Sequence, residues 1–179
     1  GTTEIAVISL GGIVVQDSIK VAGDVFTNDI LQYLRQQHNI RVGQITAEKI
    51  KIAIGAVIPD LDEAEPEPYA ITGPNIMTAH PVHANITYQE IAHCLDKSVA
   101  RIESGILHVL EQTPPELYSD IVENGIHLAG GGSLLKGLAK RLTEKVNIPF
   151  YVAKDPLRAV ARGTCAALKN TDNYSFLMR

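Results

Sequence analysis

The chain has 179 residues, 45% of them hydrophobic and 20% charged, an ordinary globular balance sized for one domain or two small lobes. A net charge of −4 with no basic block speaks against nucleic acid as a main partner. Two widely spaced cysteines, Cys94 and Cys165, do not make a disulfide framework and read as small buried hydrophobes in a reducing compartment, and no apolar run approaches the roughly 18 residues of a membrane-spanning helix.

The predicted elements alternate between strand and helix. Thr3 to Leu10 and Ile13 to Val21 are β-rich runs split by Gly11-Gly12, which predicts a hairpin. Asp24 or Thr27 is placed to cap a helix carrying Phe26, Ile30, Leu31 and Leu34, ending near His38-Asn39. After a break at Val42-Gly43, Thr46 is expected to cap a second helix with Ile50, Ile54 and Val57 on its apolar side. Pro59 to Pro68 holds Asp60, Asp62, Glu63, Glu65 and Glu67 among prolines and reads as a solvated acidic loop. Two short strands, Tyr69 to Thr72 and Val82 to Ile86, flank a loop or wide hairpin tip.

Thr87-Tyr88-Gln89-Glu90 is a capping box opening the longest helix, with a stripe of Ile91, Leu95, Val99, Ile102, Ile106, Val109 and Leu110. Pro115 fits the first turn of the next helix and Asn124-Gly125 its C-terminal cap. Ile126 to Ala129 then runs as a strand into Gly130-Gly131-Gly132, with a helix expected from there to about Val146. Pro149 to Val152 is a further strand, and Asp155-Pro156 a cap and first-turn proline for the last helix. The back half is therefore βαβα, which implies parallel pairing through crossover helices, and the whole is α/β.

Candidate chemistry concentrates at glycines. A strand–glycine–helix junction lets a ligand approach backbone that carries no Cβ, and the helix start offers N–H groups to an anion; a tight turn without a ligand has the same sequence. Thr2 and Thr3 beside Gly1 are hydroxyl and backbone donors for phosphate, or a frayed terminus. Glu48 and Lys51 lie one turn apart, with Gln44 just ahead of their helix; they suit a ribose or base, and equally an ordinary surface ion pair. No Walker loop, nucleophile elbow or metal-ligand spacing is present, and the six histidines form no metal pattern.

In combination, five stretches resemble the second half of the bacterial actin-like MreB family. They are Gly1-Thr2-Thr3-Glu4-Ile5-Ala6-Val7-Ile8-Ser9 with Gly11-Gly12, Thr46-Ala47-Glu48-Lys49-Ile50-Lys51, Thr113-Pro114-Pro115-Glu116-Leu117, Leu128-Ala129-Gly130-Gly131-Gly132-Ser133 and Ala153-Lys154-Asp155-Pro156-Leu157. The resemblance covers nearly the full chain. It implies an actin-like ATPase domain with a ribonuclease H-like core, residues 1–42 and 113–179, and a small inserted α+β lobe, residues 43–112.

The family's phosphate loop has an aspartate and a strand ahead of the glycines. This chain opens at Gly1 without a methionine, so the expectation is a fragment whose first core strand is missing and which is unstable alone.

By the same resemblance the protein binds ATP, polymerises into filaments and controls cell shape. It would work with membrane-associated cell-wall machinery, in the cytoplasm at the inner face of the membrane. The alternative is the nucleotide-binding half of a sugar- or acetate-kinase-like or chaperone-type ATPase of the same superfamily. Gly1, Thr2 and Thr3 are implied to face the β- and γ-phosphates, Glu48 and Lys51 the ribose or adenine, and Gly130, Gly131 and Gly132 the α-phosphate and adenosine. Gln44 stands where the family commonly has glutamate. The water-positioning glutamate belongs to the other domain, so no catalytic residue is expected here. Slow ATP hydrolysis with Mg2+ is expected only of the two-domain protein, and weak or no ATP binding of this chain alone. Ile71 to Pro81 lacks the family's Gly-Arg-Asp, at a tip that commonly meets the next subunit.

Overall fold

The computed structural model describes residues 1–169; the end of the expected second core segment, 170–179, lies outside the described residues. Strands β1 (Thr3–Ser9) and β2 (Gly12–Ile19) form the expected antiparallel hairpin. Its two-residue turn, Leu10-Gly11, has positive φ at both positions (50° and 77°), the handedness that matches strand twist. The register steps between Val7 and Ile8, which face Val15 and Ile13, leaving Val14 as an extra residue.

Helix α1 (Gly23–Gln37) buries Phe26, Thr27, Ile30 and Leu34. Neither predicted cap operates. Ala22, next to the fully buried Val21, holds the N-cap position without a side-chain bond. Asp24 instead faces the Gly1 backbone nitrogen at 2.9 Å. Helix α2 (Gln44–Ile54) begins two residues earlier than Thr46, from Gly43, so Gln44 is its first residue. Its inner line is Ala47, Ile50 and Ile54. The acidic segment beyond it carries no helix or strand; Asp62 is pinned by Lys140 at 2.8 Å, and Leu61 packs against the core.

Strands β3 (Tyr69–Pro74) and β4 (Pro81–Ile86) pair antiparallel. β4 feeds α3 (Tyr88–Glu111) through the predicted capping box: the Glu90 N–H donates to Thr87 Oγ1 and the Thr87 N–H to Glu90 Oε2. Ile91, Leu95 and Val99 of α3 are wholly buried. Asp29 of α1 accepts a hydrogen bond from Ser98 of α3, and the Glu90 carboxylate meets both Tyr33 and His38. Farther along α3, Gly105 lies against the hairpin so closely that a Cβ there would overlap Ile19 Cδ1.

Helix α4 (Pro115–Asn124) starts and stops as predicted, with Pro115 in its first turn and Gly125 at its C-cap. Strands β5 (Ile126–Leu128) and β6 (Phe150–Val152) pair in parallel. The single helix expected between them is two pieces. A 3₁₀ turn covers Gly131–Leu134, and α5 (Leu138–Val146) restarts from Gly137 at φ 77°. The interruption has a cause: Leu135-Lys136 is extended so that Lys136 can bond the chain leaving α2, its N–H donating to Gly55 O (2.9 Å) and its carbonyl accepting from Val57 N–H (3.0 Å).

The final cap also differs. Asp155 sits at φ 54° with no capping bond, and a 3₁₀ turn, Pro156–Arg158, precedes α6 (Ala159–Lys169). Cys165 on α6 is exposed rather than buried, because α6 covers none of its residues; Cys94 is half-buried. Among the described residues the strands form three two-stranded sheets, with β1 bonded only to β2 and β5 only to β6. No helix among those residues is long and apolar enough to cross a membrane.

Candidate functional site

Most of the predicted site residues gather on two walls. The first is where α1 begins and α2 crosses it. Lys51 Nζ donates to Glu48 Oε2 (2.7 Å), Thr27 Oγ1 (3.0 Å) and Gly23 O (3.0 Å). Thr27 Oγ1 lies 2.6 Å from the same Glu48 oxygen. The Lys51 hydrogen bond, then that of Thr27, holds the Glu48 carboxyl below the usual carboxylate range. A Cβ on Gly23 would stand 3.2 Å from Lys51 Nζ, so this glycine lets the ammonium reach the backbone.

Gly1 joins this wall through Asp24, whose carboxylate lies 2.9 Å from the Gly1 backbone nitrogen. Thr3 turns its hydroxyl to Val21 O (2.7 Å), while Thr2 is exposed. Gln44, at the far end of α2, is exposed one and two turns ahead of Glu48 and Lys51.

The second wall is the glycine bend after β5. Gly130 has φ 84° and donates its N–H to Pro156 O (2.9 Å); its carbonyl accepts from Ser133 Oγ (2.7 Å). The expected long helix start is instead a single 3₁₀ turn, which has little macrodipole. What the bend offers is room. A Cβ built on Gly130 or Gly132 meets nothing within 4 Å, and one on Gly131 meets only the Leu157 methyl, at 3.3 Å. Bare backbone facing open space fits a flat or bulky ligand laid along it.

No hydrogen bond joins Gly130, Gly131 or Gly132 to Glu48 or Lys51 among the described residues. The walls meet instead through the Gly55–Lys136–Val57 backbone bonds at the C-terminal end of α2.

Gly23 was not singled out in the sequence, and Thr27 only as a candidate helix cap, not as a residue of the site. Their signal was faint: a Gly-Asp pair at a helix start, with a threonine four residues on, inside a helix where it had no cap to make. Four of the six histidines serve locally. His38 bonds Glu90, His83 Thr72 and His108 Gln112, and His127 lies against the Tyr151 ring. Among the described residues no three or more His, Cys, Asp or Glu side chains gather to hold a metal ion.

Comparison with known proteins gives these features a family. The family model described as MreB/Mbl protein matches residues 1–175. The cell shape-determining protein Mbl of Bacillus subtilis (strain 168) is 42% identical over 172 residues, covering 96% of this chain and 51% of that protein. The cell shape-determining protein MreB of Escherichia coli (strain K12) is 42% identical over 174 residues, covering 97% and 49%. The chain thus spans about half the length of the curated relatives it matches.

Among solved structures, MreB5 of Spiroplasma citri bound to ADP superposes with a TM-score of 0.89 at 39% identity, over 98% of this chain and 52% of that one. The same protein bound to AMPPNP gives 0.90 at 37%, over 100% and 53%. The MamK double helical filament shares the fold alone, with a TM-score of 0.70 at 22% identity over 88% of this chain and 48% of that one. With a match along nearly its whole length and an actin-like α/β fold in common, the chain belongs to the MreB/Mbl family.

Proposed function

We propose that the protein is an ATP-binding, actin-like filament protein that controls cell shape, and that this chain supplies one side of its nucleotide cleft. The observation that carries the reading is the pairing of two ligand-ready walls on one frame: the Glu48–Lys51–Thr27 cluster on one side and the open backbone of Gly130 to Gly132 on the other, tied through the end of α2. The ADP and AMPPNP carried by the Spiroplasma citri relative support a nucleotide as the ligand.

In this reading Gly1, Thr2 and Thr3 face the β- and γ-phosphates. Glu48 and Lys51 line the sugar end, with Gln44 near it, and Gly130, Gly131 and Gly132 pass beneath the adenosine and α-phosphate. Mg2+ accompanies the phosphates in the full-length protein. Residues 1–42 and 113–179 form the core and 43–112 the inserted unit, with α3 serving as its strut against α1 and the hairpin. ATP bridging this half to a second one closes the cleft and favours end-to-end association, and slow hydrolysis loosens it. The protein works in the cytoplasm at the inner membrane face, with the cell-wall machinery as partner.

Sedimentation of the full-length protein tests this. ATP-dependent pelleting that ADP does not support is the expected result. Phosphate transfer to a small sugar or carboxylate without pelleting would favour the kinase-like alternative. The chain alone is expected to show weak or no ATP binding by calorimetry.

A further inference from the structure

The cluster on the first wall divides its labour in a way that spacing does not reveal. An ammonium has three protons, and all three of Lys51 point at protein acceptors: Gly23 O, Thr27 Oγ1 and Glu48 Oε2. Its side chain is only 12% exposed, against 47% for Glu48. Lys51 therefore has no donor left for a ligand.

Thr27 is 6% exposed and has one hydroxyl proton, with Glu48 Oε2 at 2.6 Å and Gly23 O at 2.9 Å as possible acceptors. Lys51 already donates to Gly23 O, and the shorter contact is to a charged oxygen, so the proton goes to Glu48. Both bonds end on Oε2. Among the described residues no donor reaches Glu48 Oε1.

From this geometry we propose that Thr27 is a positioning residue that sets sugar selectivity. With Lys51 it clamps one oxygen of Glu48, so that the other is presented at a fixed angle to the adjacent hydroxyls of a ribose. The inference rests on the nucleotide reading above and deepens it: Glu48 touches the sugar, and Thr27 and Lys51 act through Glu48. A sugar lacking its 2′-hydroxyl leaves the ionised oxygen short of a donor. A free carboxylate arm, by contrast, swings to whatever donor remains and discriminates less.

The test compares ATP with 2′-deoxy-ATP in the full-length protein, by calorimetric Kd. Wild type is expected to favour ATP by about tenfold, the scale of one lost hydrogen bond to a charged group. Thr27→Val keeps the shape and removes the hydroxyl; its preference should fall to about twofold or less, whereas Thr27→Ser should restore the wild-type ratio. Thr27→Ala is the second hydroxyl-less variant should valine not fold. An unchanged ratio in the folded hydroxyl-less variant overturns the inference. Equal wild-type affinity for the two nucleotides also overturns it while leaving the nucleotide reading standing. Failure of wild type to bind either nucleotide removes that reading and this inference together.

Discussion

Arg141 of α5 reaches Glu103 of α3 at 2.6 Å, in a place where Glu103 is 7% and Arg141 17% exposed. The guanidinium also meets Asp96 (2.8 Å) and the Val57 carbonyl (2.9 Å), so one side chain fastens two helices to the chain leaving α2. Burial works against this charge, but Glu103 and then Asp96 favour its charged form and raise its pKa. Replacing Glu103 leaves Arg141 part-buried with only the more exposed Asp96. Glu103→Ala is expected to cost about 2–3 kcal/mol, below the ~3–5 of a fully buried broken pair, because Asp96 remains. Urea unfolding of the folded protein, read by circular dichroism, measures it.

The start of α3 depends on a local device. Thr87→Ala removes the acceptor for the Glu90 N–H and one side of the reciprocal box, for a loss of about 1 kcal/mol. Thr87→Ser keeps the acceptor and should lie within a few tenths of wild type in the same unfolding assay.

That device was legible in the sequence because both halves lie within four residues. The same holds for Pro115 at the start of α4 and Gly125 at its end. The hairpin and the parallel β5–β6 pair were legible from glycine punctuation and from the helix needed between parallel strands. Illegible were features settled at a distance. Lys136 is pulled out of helix by backbone bonds to Gly55 and Val57, some eighty residues earlier, which broke the predicted long helix in two. The site divides the same way. Glu48 and Lys51 were readable as a pair at helical spacing, but Thr27, which decides how that pair points, comes from another helix.

Stability should respond to acid through Glu90. Burial alone would raise its pKa, yet the Thr87 N–H and then His38 outweigh that and hold it below the ordinary value. A depressed folded pKa means its contribution is whole above the unfolded Glu value of about 4.3 and is lost as pH falls through the lower folded value. Glu90→Gln removes the titration. The gap between wild type and variant, about 1 kcal/mol at pH 7, should hold down to about pH 5 and close toward pH 3 in urea titrations.

At the glycine bend, Gly132 distinguishes binding from folding. Its added Cβ would meet nothing within 4 Å, and its φ is not positive, so Gly132→Ala should change stability by less than about 0.5 kcal/mol. The methyl projects into the open space proposed for the nucleotide, and ATP affinity of the full-length protein should drop by about tenfold or more. Gly105→Ala is the converse: it drives a Cβ into Ile19 and should cost about 1–3 kcal/mol with nucleotide affinity of the folded fraction unchanged. Thermal melts and calorimetry on both variants separate the two effects.

The two backbone bonds between Lys136 and the Gly55–Val57 segment have a mechanical consequence. They join the chain leaving α2 to the segment after the glycine bend through backbone, and Arg141 adds a side-chain bond to the Val57 carbonyl. The end of α2 cannot shift against the glycine bend without rupturing both. A displacement of the end of α2 is therefore passed on to the turn that carries the three glycines. The amide protons of Val57 and Lys136 would report that strap, exchanging together and late while it holds.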